Sequence, residues 1–589
     1  MRILLITLVA TLYIMPLHGQ RGDWYNDEGG YSFEGKGTVE RPYLISSVEG
    51  LVFLAEQVNI WPGVSFQGEY FMMTEDIDLG EHYWIPVGNE AHQPFRGVFN
   101  GNGKTIRNLY IGSGDGNNVY TAAGFFGHLG NGARVENLTI SGGIIFGGGR
   151  DDVSRTGCIA GYLLCSVSDE NDSIIVRNCH VGEMHLTGAD TEVANTGGLT
   201  GECYSFSGGG GEALILIENC SYSGTVSAQP SNLPYTGGIA GKGRGHGYGA
   251  GAGASAGMLV FRSCLNRGNI TGGDTRGAEA TSSTGGILGF GYGSGDGSVG
   301  SSGSGSVTIE YCMNAGTITG GDAGDAQAFS YAGGLAGYGD GSGYDSGDSK
   351  DGTSGNSYGY GMFAIRSSAN RGGVTGGDAS DTTAVASTGG LLGFGSSSAS
   401  GGDGKDDAYG VFSVRDCYSY APVMAKSGFA GGLAGWIATI GKGSVSSIVR
   451  DSYAAGSIMS DTFSKVVAGG IAGRMYKSED AVRGPQIGNC LAALSYLNGD
   501  AGMTFRIAGQ VEGVRRPFNG ILGRNYAFVR DGEWSEASTL KNGRDWSRMM
   551  RGMPVSSWNR SDVWVIRNDG RGLMPVLANI PWQENVPVP

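Results

Sequence analysis

The sequence predicts an all-β chain wound as a parallel β-solenoid. Three observations predict it: a glycine-pair motif that recurs at steps of 38 to 56 residues, an alternating apolar strand ending in Cys or Ser in most repeats, and no run of ten or more residues with helical spacing inside the repeats. Glycine supplies 112 of 589 residues, and hydrophobic residues make up 40%, enough apolar side chain to build a core. Each glycine would cost a helix interior ~1 kcal/mol, which removes helical repeats as a rival.

Residues 1–19 read as a secretory signal peptide: Arg2 supplies the charge, Ile3 to Leu17 the apolar run, and cleavage is expected near Gly19. That run is too short for a comfortable membrane span, and no second run of ~20 apolar residues follows, so no transmembrane segment is expected. The first cysteine is Cys158, which leaves no cysteine for a lipid anchor after the apolar run. Arg21-Gly22-Asp23 matches the tripeptide read by integrins, a match that chance supplies easily.

Residues 20–145 should hold an N-terminal cap and the first coils. The helix candidate lies between Ser46 and Asn59: Ser46-x-x-Glu49 reads as a capping box, and Val48, Leu51, Ala55 and Val58 share a face. Its expected role is to cover the open end of the solenoid, because an exposed strand edge invites aggregation.

Residues 146–523 carry the repeats. The glycine-pair piece occurs as TGGLTG from Thr196, TGGIAG from Thr236, TGGILG from Thr284, AGGLAG from Ala332, TGGLLG from Thr388, AGGLAG from Ala430 and AGGIAG from Ala468. An alternating strand ends at Cys220, Cys264, Cys312 and Cys417, with Ser368 and Ser452 standing in elsewhere, and a short Gly-x-aliphatic-x piece follows. Each repeat thus offers about three strands. The surplus length, including Gly241 to Gly257 and Gly291 to Gly305, reads as loops projecting from the frame.

Stacked in register ~4.8 Å apart, equivalent residues would form a structural ladder of Cys179, Cys220, Cys264, Cys312, Ser368, Cys417, Ser452 and Cys490. That spacing exceeds the ~3.5–4.5 Å between Cβ atoms in a disulfide, and serine replacement suits a small buried side chain, so free thiols are expected over disulfides or a metal site. The glycine pair is expected at a tight bend between strands.

The glycine-pair pieces resemble GLUG-motif repeats, which occur in exported proteins of Gram-negative gut bacteria and in some IgA-cleaving metallopeptidases. The segment from Gly37-Thr38 through Trp84-Ile85-Pro86-Val87-Gly88 to Lys104-Thr105-Ile106 resembles the lead-in of that family, and Met574-Pro575-Val576-Leu577 its C-terminal end. The resemblance implies a right-handed parallel β-helix and a surface location. It carries no activity, since the repeat is a structural module.

Residues 524–589 read as a basic, Trp-rich C-terminal cap: they hold Trp534, Trp546, Trp558, Trp564 and Trp582 of the nine tryptophans. From Arg506 to Arg571 eleven Arg and one Lys face seven acids, whereas the whole chain carries a formal charge of -15. That acidity argues against nucleic acid as the main partner.

Signatures of chemistry are sparse. No HExxH occurs among the seven histidines. His180 and His185 of HVGEMH are expected on opposite faces of a strand, which argues against a metal there. A GxSxG match at Gly253–Gly257 lies inside a Gly/Ala run and lacks the setting of a nucleophile elbow. Three TGGD copies place Asp274, Asp322 and Asp378 in the surplus between strands; stacked in register they would repel, and Ca²⁺ or solvent would relieve them. No other cofactor is implied.

The expected function is a non-enzymatic, secreted or cell-surface, adhesin-like binding protein that displays loops to a host or bacterial glycan or surface protein. Two alternatives stand beside it. One is a polysaccharide lyase or epimerase, which would need clustered Asp, Lys and Arg on one strand face. The other is a structural component of a surface assembly.

Overall fold

The computed structural model describes residues 31–514, with breaks at 61–62, 81, 115, 117–118, 150–151, 250–252, 299–300, 346–357, 402–407, 461–465 and 501–503. Beyond these it describes 522–523, 525–532, 544–545, 564–568 and 573–577. The signal segment, Arg21-Gly22-Asp23 and Trp534, Trp546, Trp558 and Trp582 lie outside the described residues.

Each coil has four faces, one more than the repeat pieces suggest. The coil from 281 to 319 shows all of them: Thr281–Gly285 on face 1, Leu288–Gly297 on face 2, Ser302–Glu310 on face 3, and the two short strands Met313–Asn314 and Ile318–Thr319 on face 4. The extra face arises because the glycine pair bends the first piece into two strands. A Cβ on Gly237 would run into the carbonyl oxygen of Ala240, and one on Gly238 into that of Gly286 in the next coil. Successive coils pair in parallel and in register, giving, among the described residues, sheets of nine strands on face 1, ten on face 2 and thirteen on face 3. The chain is therefore a parallel β-helix, as the repeats predict.

The corner between faces 3 and 4 is made by a residue in the left-handed region directly before the ladder position: Asn178, Asn219, Ser263, Tyr311, Ser367, Asp416, Asp451 and Asn489 have φ from 46° to 55°. Asparagine tolerates this conformation, and here its amide also bonds along the stack. Asn137 Nδ2 donates to Asn100 Oδ1 at 3.1 Å, Asn178 to Asn137 at 2.9 Å, and Asn219 to Asn178 at 2.8 Å.

The helix is present as α1, Val48–Asn59, and Leu51, Leu54, Ala55 and Val58 join the main apolar core at the start of the sheets. The capping box differs from expectation. Ser47, not Ser46, is the N-cap, and it makes no side-chain cap hydrogen bond. Glu49 then falls at the second helical position, too early for the reciprocal bond of a capping box.

The largest departure concerns the glycine-rich stretches read as loops. Ala240–Tyr248 and Ala254–Arg262, and likewise Leu288–Gly297 and Ser302–Glu310, are strands of faces 2 and 3. They extend the two sheets beyond the apolar core, where the sheets lie back to back with glycine between them. A Cβ on Gly305 would meet the carbonyl oxygen of Ser294, one on Gly361 that of Ser342, and one on Gly410 that of Ser398. The sequence reading missed this because glycine disfavours ordinary strands; here glycine at most inward positions lets the two backbones meet. The result is a thin fin, far tighter than the ~10 Å between side-chain-filled sheets.

Candidate binding surface

The predicted ladder lies inside the corner between faces 3 and 4, and all eight of its residues are buried. Each thiol donates to carbonyls two residues back and one coil below: Cys179 Sγ to Arg177 O at 3.3 Å and Val135 O at 3.5 Å, Cys312 Sγ to Glu310 O at 3.3 Å and Phe261 O at 3.5 Å. Serine substitutes by the same geometry, with Ser368 Oγ donating to Arg366 O at 2.7 Å and Ser452 Oγ to Arg450 O at 2.8 Å. The stack continues to Asn525, whose Oδ1 accepts the Cys490 N–H at 3.0 Å. Burial pushes the Cys220, Cys312 and Cys417 thiols well above the usual range and the Cys490 thiol up to about 12. All nine cysteines are buried and none is in a disulfide. The ladder's work is structural.

Next to it, on face 4, a second row of amides is fully enclosed. Asn266 Nδ2 donates to Asn314 Oδ1 at 2.7 Å, and Asn314 Nδ2 to Asn370 Oδ1 at 2.8 Å. Each also closes its own turn by donating to Gly268, Gly316 or Gly372 carbonyl oxygen.

Asp274, Asp322 and Asp378 do stack in register, but the carboxylates of Asp274 and Asp322 are met by the chain itself. The Asp322 N–H donates to Asp274 Oδ1 at 2.8 Å, the Asp378 N–H to Asp322 Oδ1 at 2.7 Å, and Lys426 Nζ pairs with Asp322 Oδ1 at 3.0 Å. Among the described residues no three His, Cys, Asp or Glu side chains form a group that could hold a metal ion. Contrary to expectation, His180 and His185 share the outer face of strand His180–Thr187. Glu183, at φ 56°, bulges the strand and resets its alternation. The rings then bond separately, His180 Nδ1 with Ser221 Oγ at 2.9 Å and His185 Nδ1 with Thr225 Oγ1 at 2.7 Å. Ser255 of the GxSxG match is buried on the fin strand Ala254–Arg262.

The outward side of face 2 carries the richest surface. The residue after each motif's last glycine forms one column, in order His128, Tyr162, Glu202, Lys242, Phe290, Tyr338, Phe394, Trp436 and Arg474. Tyr235, Tyr331 and Phe429 of face 1 pack against it across the glycine bend. Ring centroids lie 4.6 Å apart for Tyr235 and Phe290, 4.6 Å for Phe290 and Tyr338, 5.1 Å for Tyr338 and Phe394, and 4.9 Å for Phe394 and Trp436. Cations close both ends of the aromatic run, Lys242 Nζ 4.9 Å from the Tyr235 ring and Arg474 4.3 Å from Trp436. Burial pushes the Lys242 amine down to about 8. Glu202 Oε2 accepts Arg155 Nε at 2.6 Å and Asn195 Nδ2 at 3.2 Å.

Farther out, face 2 presents a polar and aromatic platform on the fin. Tyr204 OH meets His246 Nδ1 at 3.4 Å, His246 Nε2 meets Asp296 Oδ2 at 2.9 Å, and Tyr292 OH bonds Tyr344 OH at 3.3 Å. Tyr248 and Tyr344 are exposed. Asp340, nearly enclosed, accepts from Ser342 and Ser396, and burial raises its carboxyl above the usual range.

The rim of face 3 carries a column of charge two positions before the ladder: Glu136, Arg177, Glu218, Arg262, Glu310, Arg366, Arg415 and Arg450. Neither outer column was found by sequence reading, which followed the ladder itself. Both sit at a constant offset from motifs that were found, and that offset was the available signal. Like charges one coil apart cost about 1 kcal/mol per pair in a watery dielectric.

No family model matches the chain. A protein of Evansella cellulosilytica, provisionally named a Gly-rich membrane protein, is 36% identical over 117 residues, covering 19% of this chain and 12% of that one. Halomucin of Haloquadratum walsbyi is 30% identical over 140 residues, 22% of this chain and 1% of its own. The chain thus matches only a small part of these curated relatives. A crystal structure from Bacteroides ovatus, provisionally named an immunoglobulin A1 protease, aligns over 92% of this chain and 94% of that one at 14% identity and a TM-score of 0.30. Among the described residues no helix is long and apolar enough to cross a membrane. The fold rests on the strand pairing of this chain.

Proposed function

We propose that this chain is a non-enzymatic, exported, adhesin-like protein of the GLUG-repeat type, which holds a glycan or surface-protein partner on the outward side of face 2. One observation carries the reading: side chains from consecutive coils present Tyr204, Arg244, Tyr292 and, one row farther out, His246 in register on a broad, rigid sheet. Tyrosine offers an apolar face and a hydroxyl together, and arginine and histidine add donors, a mixture suited to sugar rings and their hydroxyls. The signal-like first 19 residues and the repeat resemblance support a surface setting. The fin supports it too, because it widens face 2 with backbone that is already ordered, so binding orders little new chain.

A glycan array probed with the mature chain, alongside a Tyr292→Ala/Tyr344→Ala double variant, tests this. A defined subset of glycans bound by the native chain, and at least tenfold more weakly by the variant, is expected. Absence of binding on the array and in pull-downs with surface extracts overturns the reading.

A further inference from the structure

The charge column on face 3 changes character along the solenoid. In its first part the signs alternate and the residues pair: Arg177 with Glu136 at 3.0 Å, and Arg262 with Glu310 at 2.6 Å and Glu218 at 3.4 Å. Arg366, Arg415 and Arg450 then follow on three successive coils with no acid between them, all exposed. Glu310 faces Arg366 in register yet pairs with Arg262 below it. Among the described residues none of the three arginines is in an ion pair, and Arg366 Nη2 lies 3.7 Å from Met362 Sδ. The nearest acids in sequence, Asp416 and Asp451, occupy the left-handed corner, where Asp451 Oδ1 accepts Asn489 Nδ2 at 2.6 Å.

We infer that Arg366, Arg415 and Arg450 bind a linear acidic polysaccharide lying along the solenoid axis, one carboxylate or sulfate to each coil. The inference rests on the glycan-binding reading but uses a different face. Guanidinium groups grip carboxylate and sulfate oxygens with a planar fork, and three of them held one coil apart, ~4.8 Å, form a ruler for a polymer with one acid per sugar. A small free anion would answer one rung only. Duplex nucleic acid carries a charge every ~1.7 Å along its axis, denser than the column, while the chain's formal charge of -15 opposes any polyanion at long range. A rigid local match is therefore needed, and a regular acidic glycan offers one.

The test measures binding of the full chain to polygalacturonate and heparin, with dextran, a short DNA duplex and anionic lipid vesicles as comparison probes, across a salt series. The R366Q/R415Q/R450Q variant should bind the acidic glycans at least tenfold more weakly and with a flatter salt dependence. Arg177→Gln, in the paired part of the same column, should leave binding unchanged. Circular dichroism melts check folding, and if the triple variant does not fold, Arg415→Gln, flanked by arginine on both sides, is expected to weaken binding at least threefold. Equal binding by native and arginine variants overturns the inference, as does DNA or vesicle binding as tight as that of polygalacturonate. Loss of acidic-glycan binding with face-2 glycan binding retained supports the inference; no acidic-glycan binding by the native chain, with array hits intact, overturns it and leaves the proposed function standing.

Discussion

The body of the solenoid and its fin are built from the same two sheets by opposite rules. In the body, inward positions carry Leu163, Ile215, Phe261, Phe363 and Phe412, fully buried, and stability comes from filled volume. In the fin the inward columns run from Cys165 and Ser205 to Gly245, Gly293 and Gly341, then back to Ser397 and Thr439. At the glycine rungs the backbones themselves are in contact, and a side chain there would be an intrusion. The two rules meet on one strand, Tyr358–Arg366, where Gly361 faces a carbonyl of the opposite sheet and Phe363 fills the space left by Gly291 and Gly339. Glycine on the fin strands therefore marks where two sheets touch, not looseness.

That contrast can be broken most strongly at Phe363. Phe363→Ala should cost about 3–5 kcal/mol by emptying the body, read as a fall in denaturant midpoint. Acid should act on the body and the fin in opposite senses. His128 donates Nδ1–H to Gly88 O at 2.9 Å, and burial pushes its pKa down to about 4. The unfolded chain binds that proton first, so stability from this group is present above pH 6.5 and is lost as pH falls through about 4, by roughly 3 kcal/mol at most. Asp340 on the fin has its pKa raised by burial, so its contribution is present at low pH and fades as pH rises through the folded value. Melts of His128→Gln and Asp340→Asn across pH 3–7 should flatten opposite slopes.

On the same strand as Phe363, Gly361→Ala should destabilise by about 1–3 kcal/mol by forcing the sheets apart, and should expose the fin to protease. Gly373→Ala, which meets only Pro422 Cγ at 3.6 Å, should change stability by less than ~1 kcal/mol. If both substitutions are tolerated alike, the fin is not held by backbone contact. Asn314→Ala removes the middle rung of an enclosed amide row and should cost about 1–3 kcal/mol in the same melts. Cys312→Ser should cost less than ~1 kcal/mol, since Ser368 already fills the equivalent place with the same acceptor geometry. Consistent with buried thiols, a thiol reagent should label the native chain only on unfolding.

The repeats made the solenoid, its register and the Cys/Ser ladder readable, because stacking turns a sequence period directly into a spatial column. Helix α1 was readable from its apolar face, though its cap was misplaced by one residue, a choice between two adjacent serines that depends on backbone angles. The bulge at Glu183 was not readable: alternation alone puts His180 and His185 on opposite faces, and only the left-handed residue between them restores one face. The acidic TGGD positions were found, but not the N–H groups that meet them, since those come from the next coil.

Chain order therefore settles which residues stack, since a parallel repeat leaves little freedom in register. It does not settle what a column faces. Gly305 reads as a loop residue until a second sheet is laid against it, and Arg366, Arg415 and Arg450 read as three unrelated arginines until the coils bring them together. Those properties depend on contacts between segments dozens of residues apart, which the three-dimensional packing alone brings into range.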